Sequence, residues 1–490
     1  METIIQKVNE LIQNQNILLV QTSTGERILV AEGKFLPLLQ GGKLIRKLLF
    51  EKCKIFLNSS ELQNLISYLE ICPLTDDTVY ETAKRIYSGK DCWAYELNKD
   101  TGESVVITPD DFYIGELPHV IFRYSADYTS QVNPDWDTEV ESLFSLIHTH
   151  FNLKNERQEK LLTLYLVTAF FGMSINHPIL ILQGEKGSSK STTMRKLERL
   201  IDPKQSDLGG IPKGADGLEL RLANNYFVTL DNLSYIRQNV SDTLARAVTG
   251  GTVTKRKLYA DSEEVVLDIK AMVAMNGVSL VAKESDLLDR SLILELRRIS
   301  SSEIKTEEEL WRRFEKDRPK ILGCIFQILS IVLFNSEEPV IPNKIRLADF
   351  HTACVKVGEV LGMSEAEVSE LLWVNQSNVN RKSIDEDIVA CCLIELMKKR
   401  SSYVNSVSGL LEDLGDIASK NSIVSSVLPK TPNHLSSRLS KVRSNLQSEY
   451  GISYDIANVG AFKQITIEKN NQKVCESCER RKNKKIKQGS

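Results

Sequence analysis

Gly184-Glu-Lys-Gly-Ser-Ser-Lys190-Ser191 decides the fold, because it follows the apolar run Ile179–Leu182 and leads into the helical run Thr192–Leu200. A glycine-rich loop between a strand and a helix turns backbone N–H groups toward phosphate oxygens, and the helix N-terminus adds positive partial charge. Gly184, Glu185, Lys186, Gly187, Ser188, Ser189, Lys190, Ser191 and Thr192 are therefore the candidate nucleotide-binding residues. Lys190 is expected to reach the β and γ phosphates of ATP, and the Ser191 hydroxyl to ligate Mg²⁺. Ser189 stands where the strict motif has its last glycine. The flanking strand and helix weigh against the other reading, a chance Gly/Ser-rich turn.

A phosphate loop needs an acid on a neighbouring strand to hold the metal through its water shell. Tyr226-Phe-Val-Thr-Leu-Asp231 ends in one, so Asp231 joins Ser191 as the candidate metal pair. A third apolar run, Ala271–Ala274, leads into Met275-Asn276-Gly277. The carboxyl end of a strand is where parallel sheets bind ligands, so Asn276 is a candidate for orienting water between Asp231 and the γ-phosphate. An Asn-Gly pair also reads as a plain turn. Arg290, in Asp286-Leu-Leu-Asp-Arg290, precedes the run Leu292–Leu296. It reads either as an arginine finger on a neighbouring subunit's nucleotide or as an ion-pair partner of Asp286 or Asp289.

The 490 residues around this centre are 42% hydrophobic and 26% charged, which excludes a chain disordered throughout, and the length calls for roughly three domains. Lys+Arg 62 against Asp+Glu 65 leaves a net charge of −3, so DNA contact has to come from local patches rather than a basic coat. Nine scattered cysteines fit a reducing cytosol, and Met1–Lys7 lacks the pattern of a secretion signal. Leu161–Gln183 has no Asp, Glu, Lys or Arg but is broken by Gly172 and Pro178, so it reads as a buried helix and a buried strand rather than a membrane span.

Residues 1–130 read as an α+β module, with helices near Ile4–Gln13 and Leu62–Leu69 and a turn at Asn98–Gly102. Residues 138–300 alternate helix with short apolar strand, which implies a parallel α/β sheet. Residues 301–400 read as all-helical, Ser401–Ser408 as a soft boundary, 409–470 as a separate module and 471–490 as a basic tail. The expected fold class is thus an α/β P-loop NTPase core between an N-terminal α+β module and a C-terminal helical module.

In order and spacing, Gly184–Ser191, Leu230-Asp-Asn-Leu-Ser234, Ala247-Val-Thr-Gly-Gly251, Ala274-Met-Asn-Gly277 and Asp286–Arg290 resemble the ATPase core of the superfamily 3 and minichromosome-maintenance-like helicases of the AAA+ class. The same set is similar to ATP-binding replication proteins of phages and bacterial mobile elements. The resemblance covers about 140–335, and more weakly Arg85–Arg123. It implies an AAA+-like core, a ring-forming homo-oligomer, hexameric in those helicases, and Arg290 acting in trans. Small non-glycine residues stand at the position of Ser189 in the minichromosome-maintenance type. Asn232 departs from the acid that most helicases of the class carry after the metal acid, which bears on hydrolysis rate more than on ATP binding.

Gly250–Tyr259 followed by Glu263–Asp268 reads as a β-hairpin with three cations near its turn. In the resembled helicases a hairpin here grips the sugar-phosphate backbone in a central channel, which implies that role for Lys255, Arg256 and Lys257 on single-stranded or forked DNA. Further on, Thr431-Pro432 opens a helix with Leu435, Leu439, Val442 and Leu446 on one stripe, and a hairpin follows Gly451. Arg438, Lys441 and Arg443 lie off that stripe. This order resembles a winged-helix module, which implies duplex contact through those cations, at an origin for instance; a protein-contact module of the same shape is the alternative. Cys475-Glu-Ser-Cys478 is a lone CxxC without the second pair that a structural zinc site needs.

The sequence therefore favours a cytoplasmic ATP-dependent DNA helicase or translocase acting in the replication of a mobile element. An ATP-controlled DNA-binding switch or loader is the alternative, supported by Asn232. A small-molecule phosphotransferase is the third reading, disfavoured by the large flanking modules.

Overall fold

A computed structural model of the chain describes all residues except 1, 15–16, 32–33, 39–41, 100, 118, 124, 126, 213–214, 257–263, 278–283, 336, 386, 421–427, 460–461 and 471–490. Lys257, Cys475, Cys478 and the basic tail thus lie outside the described residues. The chain divides into two compact units, one of 1–233, 246–278 and 294–369, the other of 234–245, 279–293 and 370–490.

In the first unit, helices Glu2–Gln13, Gly42–Cys53 and Ser59–Ile71 accompany a five-stranded sheet. The first and third are those expected, whereas Gly42–Cys53 was not anticipated. Val8, Leu19, Ile45, Leu49, Leu65 and Leu69 close a core between helices and sheet. Trp93–Glu96 and Ser104–Ile107 pair antiparallel across the expected turn, where Gly102 takes φ +77.

Next comes the helix α1 (Glu156–Thr168), a 3₁₀ segment Ala169–Ser174 and the strand β1 (Ile179–Gln183), so the uncharged stretch is a buried helix and strand as expected. No described helix is long and apolar enough to cross a membrane. Helix α2 (Lys190–Ile201) follows the loop, and β2 (Phe227–Leu233), the antiparallel hairpin β3 (Thr252–Arg256) and β4 (Glu264–Asp268), β5 (Met272–Gly277) and β6 (Ser291–Glu295) complete the region. The central sheet runs β2-β5-β1-β6, with β5 parallel to both β1 and β2. Its strands are nearly wholly buried, as sheets covered on both faces require.

A buried cation joins the segment 85–130 to this core. Arg85 is fully buried, donates from Nε to Asp202 Oδ1 at 3.1 Å and from Nη1 to Glu96 Oε2 at 3.4 Å, and lies over the Tyr128 ring. Asp202 caps the C-terminus of α2, and its Oδ2 accepts the Phe227 N–H at 3.1 Å.

The described C-terminal part of the second unit contains α3 (Ile388–Leu396), β7 (Ser402–Ser406), α4 (Val407–Lys420), α5 (Pro432–Tyr450), β8 (Ile452–Val459) and β9 (Phe462–Lys469), with β9 between β7 and β8. Ser401–Ser408 is therefore not a boundary. It holds β7, which pairs with β9 from Ser402 opposite Glu468 to Ser406 opposite Gln464. Its serines and asparagine look like a linker, but Tyr403 turns inward to the same core as α3. For the same reason α3 is packed with this module and not with a separate helical region ending at 400.

Candidate nucleotide-binding site

The loop Gly184–Ser191 adopts two left-handed positions, Gly187 at φ +83 and Ser189 at φ +61. The second explains the glycine of the strict motif, since an L-residue there is strained by roughly 1–2 kcal/mol. Gly184 cannot carry a side chain, because a Cβ would lie 2.5 Å from Ser188 Oγ and 2.9 Å from the Leu296 carbonyl. The loop is held from outside by Asn152, whose Nδ2 donates to the carbonyls of Ser188 at 3.4 Å and Arg297 at 2.5 Å. Ile299 N–H adds a 3.4 Å bond to Gly187 O.

Lys190 folds back over the loop, donating from Nζ to the Gly184 and Glu185 carbonyls at 2.8 and 2.9 Å. Partial burial lowers its pKa, and the nearby Asp231 carboxylate opposes that shift. Ser191 Oγ donates to Asp231 Oδ1 at 2.8 Å. Asn276 Nδ2 donates to the same oxygen at 2.5 Å, while Asn276 Oδ1 accepts the Asn232 backbone N–H at 2.8 Å. The structure thus brings Lys190, Ser191, Asp231 and Asn276 together at the carboxyl ends of adjacent strands.

Two features of this cluster refine the sequence reading. Asp231 is not on the strand beside the loop strand, because β5 lies between β1 and β2, and Asn276 bridges the gap. Asp231 also does not end its strand. Leu230 pairs with Met275 and Leu233 with Gly277, so β2 gains one residue in a bulge that sets Asp231 and Asn232 opposite Asn276. Asn232 takes φ +55 there, a left-handed conformation that asparagine tolerates better than glutamate does.

A cavity of about 1010 Å³ opens beside Ser189 and Thr192, lined by 148–156, Lys196, Arg297, Ile299, 303–305 and Trp311. No sequence motif marks it, because its walls come from three distant segments. Lys196 lies in it with Nζ donating to His150 O at 2.6 Å and facing the rings of Phe151 and Phe314, and burial lowers its pKa to about 8.

The remaining candidates lie in other settings. Lys255 and Arg256 occupy the last register positions of β3, opposite Val265 and Glu264. Arg290, in the second unit, is 15% exposed and forms an ion pair with Asp286, whose carbonyl also accepts from Nη1 at 2.9 Å. This is the ion pair that one of its two sequence readings expected. Arg438, Lys441 and Arg443 lie half-exposed on α5, each facing an acid: Asp387 at 2.7 Å, Glu284 at 3.0 Å and Asp455 at 2.6 Å.

Over residues 143–369 the chain matches the model of the actinomycete integrative conjugative element replication protein family, and over 389–482 that of the AICE RepA C-terminal domain. The chain is a replication protein of the mobile-element kind. The first match holds the loop cluster, the β3–β4 hairpin and Arg290 of this replication protein, and the second holds α5. Two apo structures of the NrS-1 C-terminal region (305–718) are similar to it with TM-scores of 0.43 and 0.42 and identities of 11% and 12%. Each alignment covers 94% of this chain and 98% of the other. No curated protein matches the chain.

Proposed function

We propose that this replication protein is a P-loop ATPase of AAA+-like architecture that uses ATP to move along DNA as a ring-forming helicase or translocase. The observation that carries the reading is the convergence of Lys190, Ser191, Asp231 and Asn276 at one end of the β2-β5-β1-β6 sheet. Among the described residues nothing else calls for a strained loop, a folded-back lysine and a bulged acid at one place.

In this reading the loop N–H groups and Lys190 bind the β and γ phosphates, with Lys190 exchanging its two carbonyl partners for phosphate oxygens. The hydroxyl of Ser191 and the carboxylate of Asp231 are hard oxygen donors, which fits Mg²⁺, and the two residues would hold it. When bound, the ion offsets charge on the phosphates. Asn276 fixes the orientation of Asp231 and, through the Asn232 N–H, the shape of the bulge. The cavity beside Thr192 has the volume for a nucleoside. The β3–β4 hairpin, whose strand β3 ends in Lys255 and Arg256, supports contact with a DNA backbone.

Asn232 favours a second reading, an ATP-controlled switch or loader that does not unwind, because a neutral residue after Asp231 cannot act as a base. Steady-state ATP hydrolysis with and without single-stranded DNA, with light scattering for mass, separates the two. Turnover stimulated by DNA, abolished in Lys190→Ala and accompanied by ATP-dependent oligomers, is expected of the motor. ATP binding with negligible turnover under every DNA condition would leave the switch.

A further inference from the structure

We propose that the helix Gly42–Cys53 and the loop after it form a binding surface for single-stranded DNA, separate from the hairpin and from α5. The inference goes beyond the ATPase reading and does not depend on it. Residues 42–54 contain five cations, Lys43, Arg46, Lys47, Lys52 and Lys54, against one acid, Glu51, in a chain whose net charge is −3. Ile45, Leu48 and Leu49 bury one face of the helix. Lys43, Lys47, Phe50 and Lys54 recur at the spacing of a single outward stripe, about 16 Å long at the rise of a helix.

Two aromatic rings accompany this stripe, Phe50 within it and Phe56 two residues after Lys54 in the chain. Phe50 is 52% exposed and Phe56 82% exposed, although burial of a phenylalanine is strongly favourable. Cations alternating with bare aromatic faces fit a strand of unpaired bases, whose phosphates meet the ammonium groups while the bases stack on the rings. Duplex DNA offers the phosphates but keeps its bases stacked inside.

Lys54 supplies an independent observation. It takes φ +56 at the C-terminus of the helix, where Ile55 N–H bonds to Leu49 O at 3.3 Å and Lys54 N–H to Phe50 O at 3.0 Å. This is the position that helices ordinarily fill with glycine to avoid strain. Here a lysine is kept, and its ammonium lies 5.8 Å from the Phe50 ring centroid and 3.4 Å from the Glu51 carbonyl. A strained residue that contributes a surface cation to a cationic and aromatic stripe is explained by a ligand, not by packing. Glu51 holds Lys47 at only 3.8 Å with both side chains more than half exposed, so phosphate displaces it easily.

The test uses the full chain without nucleotide and a fluorescent oligothymidylate, with a duplex of the same length as reference, over a range of salt. Lys43→Gln/Lys47→Gln/Lys54→Gln is expected to weaken single-strand binding at least tenfold and to lower the salt slope by about two, from about 0.7 per phosphate contact. Phe50→Ala/Phe56→Ala is expected to weaken it about tenfold with the slope and the duplex affinity unchanged. Lys54→Gly should raise the melting temperature while lowering affinity, which a purely structural lysine would not do. DNA-independent ATP hydrolysis in all these variants should equal that of the unaltered chain. Single-strand affinity and slope unchanged in the lysine and phenylalanine variants would overturn the proposal, as would failure of the unaltered chain to bind the oligonucleotide. Equal loss on duplex and single strand in the phenylalanine variant would overturn the stacking.

Discussion

The loop cluster and the surface of α5 are both polar, yet their groups are satisfied in different ways. At the loop, Lys190 is bonded to carbonyls of its own turn, and Ser191 and Asn276 both donate to one oxygen of Asp231. These are bonds that an incoming anion or cation can replace with better ones. On α5 each cation already faces a carboxylate. A ligand there has to compete with an acid of the protein itself. The difference separates groups whose present bonds a ligand could replace from groups that complete the fold.

The largest expected effect breaks the first of these regions. Lys190→Ala should reduce ATP hydrolysis by at least about a hundredfold, because no other described side chain donates into the loop from that position. Hydrolysis within a few fold of the unaltered rate would mean that the folded-back lysine is a loop staple. Arg85→Ala should then be the most damaging change for stability. It leaves Glu96 and Asp202 buried without their main cation, at a cost of about 3–5 kcal/mol by denaturant unfolding. A loss below about 1 kcal/mol would show that Lys204, 3.2 Å from Asp202, suffices for the site.

Asn276→Asp sharpens the comparison by making the loop cluster resemble the acid-rich surroundings of α5. A second carboxylate within hydrogen-bond reach of Asp231 disfavours ionisation of the pair and deprives Asp231 of a donor. Turnover is expected to fall about tenfold or more, and the magnesium dependence to move to higher pH, since both carboxyls must then lose protons. Unaltered magnesium and pH profiles would remove Asn276 from the site.

How far these regions could be read beforehand follows from the same distinction. Gly184–Ser191 constrains its own backbone, so loop, strand and helix were legible from one short stretch, and Asp231 and Asn276 followed because each lies where an apolar run ends. The bulge that joins them was not legible, because it depends on register between strands some 40 residues apart. The partners of α5 were hidden for a similar reason. Lys441 meets Glu284 across 157 residues and Arg438 meets Asp387 across 51, and no local pattern announces such pairs. β7 was missed because Ser402, Asn405 and Ser406 carry linker composition while its pairing with β9 comes from far along the chain. The cavity beside Thr192 combines three segments and leaves no motif.

The α5 cations should show small effects in keeping with their pairing. Arg438→Ala, Lys441→Ala and Arg443→Ala are each expected to change stability by less than about 1 kcal/mol, as half-exposed ion pairs do. Each should also change the salt slope of duplex binding by less than about 1, because an acid already competes for the cation. A full unit of slope per substitution would instead make α5 a phosphate-binding helix whose acids let go when DNA arrives.

The last expected effect concerns a cation that has neither a replaceable loop bond nor an acid in its contacts with His150, Phe151 and Phe314. Burial lowers Lys196 from 10.5 to about 8, and Lys305 adds to the shift. Between those values the unfolded chain binds more protons at this group than the folded one, so its contribution to stability rises with pH from about 8 to 10.5 and is lowest below 8. Lys196→Met removes that rise while keeping the stem that packs beside Phe151 and Phe314. The melting temperature of the variant, measured relative to the unaltered chain, should therefore decline steadily across this window, whichever chain melts higher at pH 7. Lys84, also lowered to about 8 by burial, stays in both proteins and cancels from the comparison. A difference that stays constant from pH 7 to 10.5 would mean that the carbonyl of His150 and the two rings hold the ammonium as well as water does, and that the cavity wall at Lys196 is no less favourable to charge than the surface of α5.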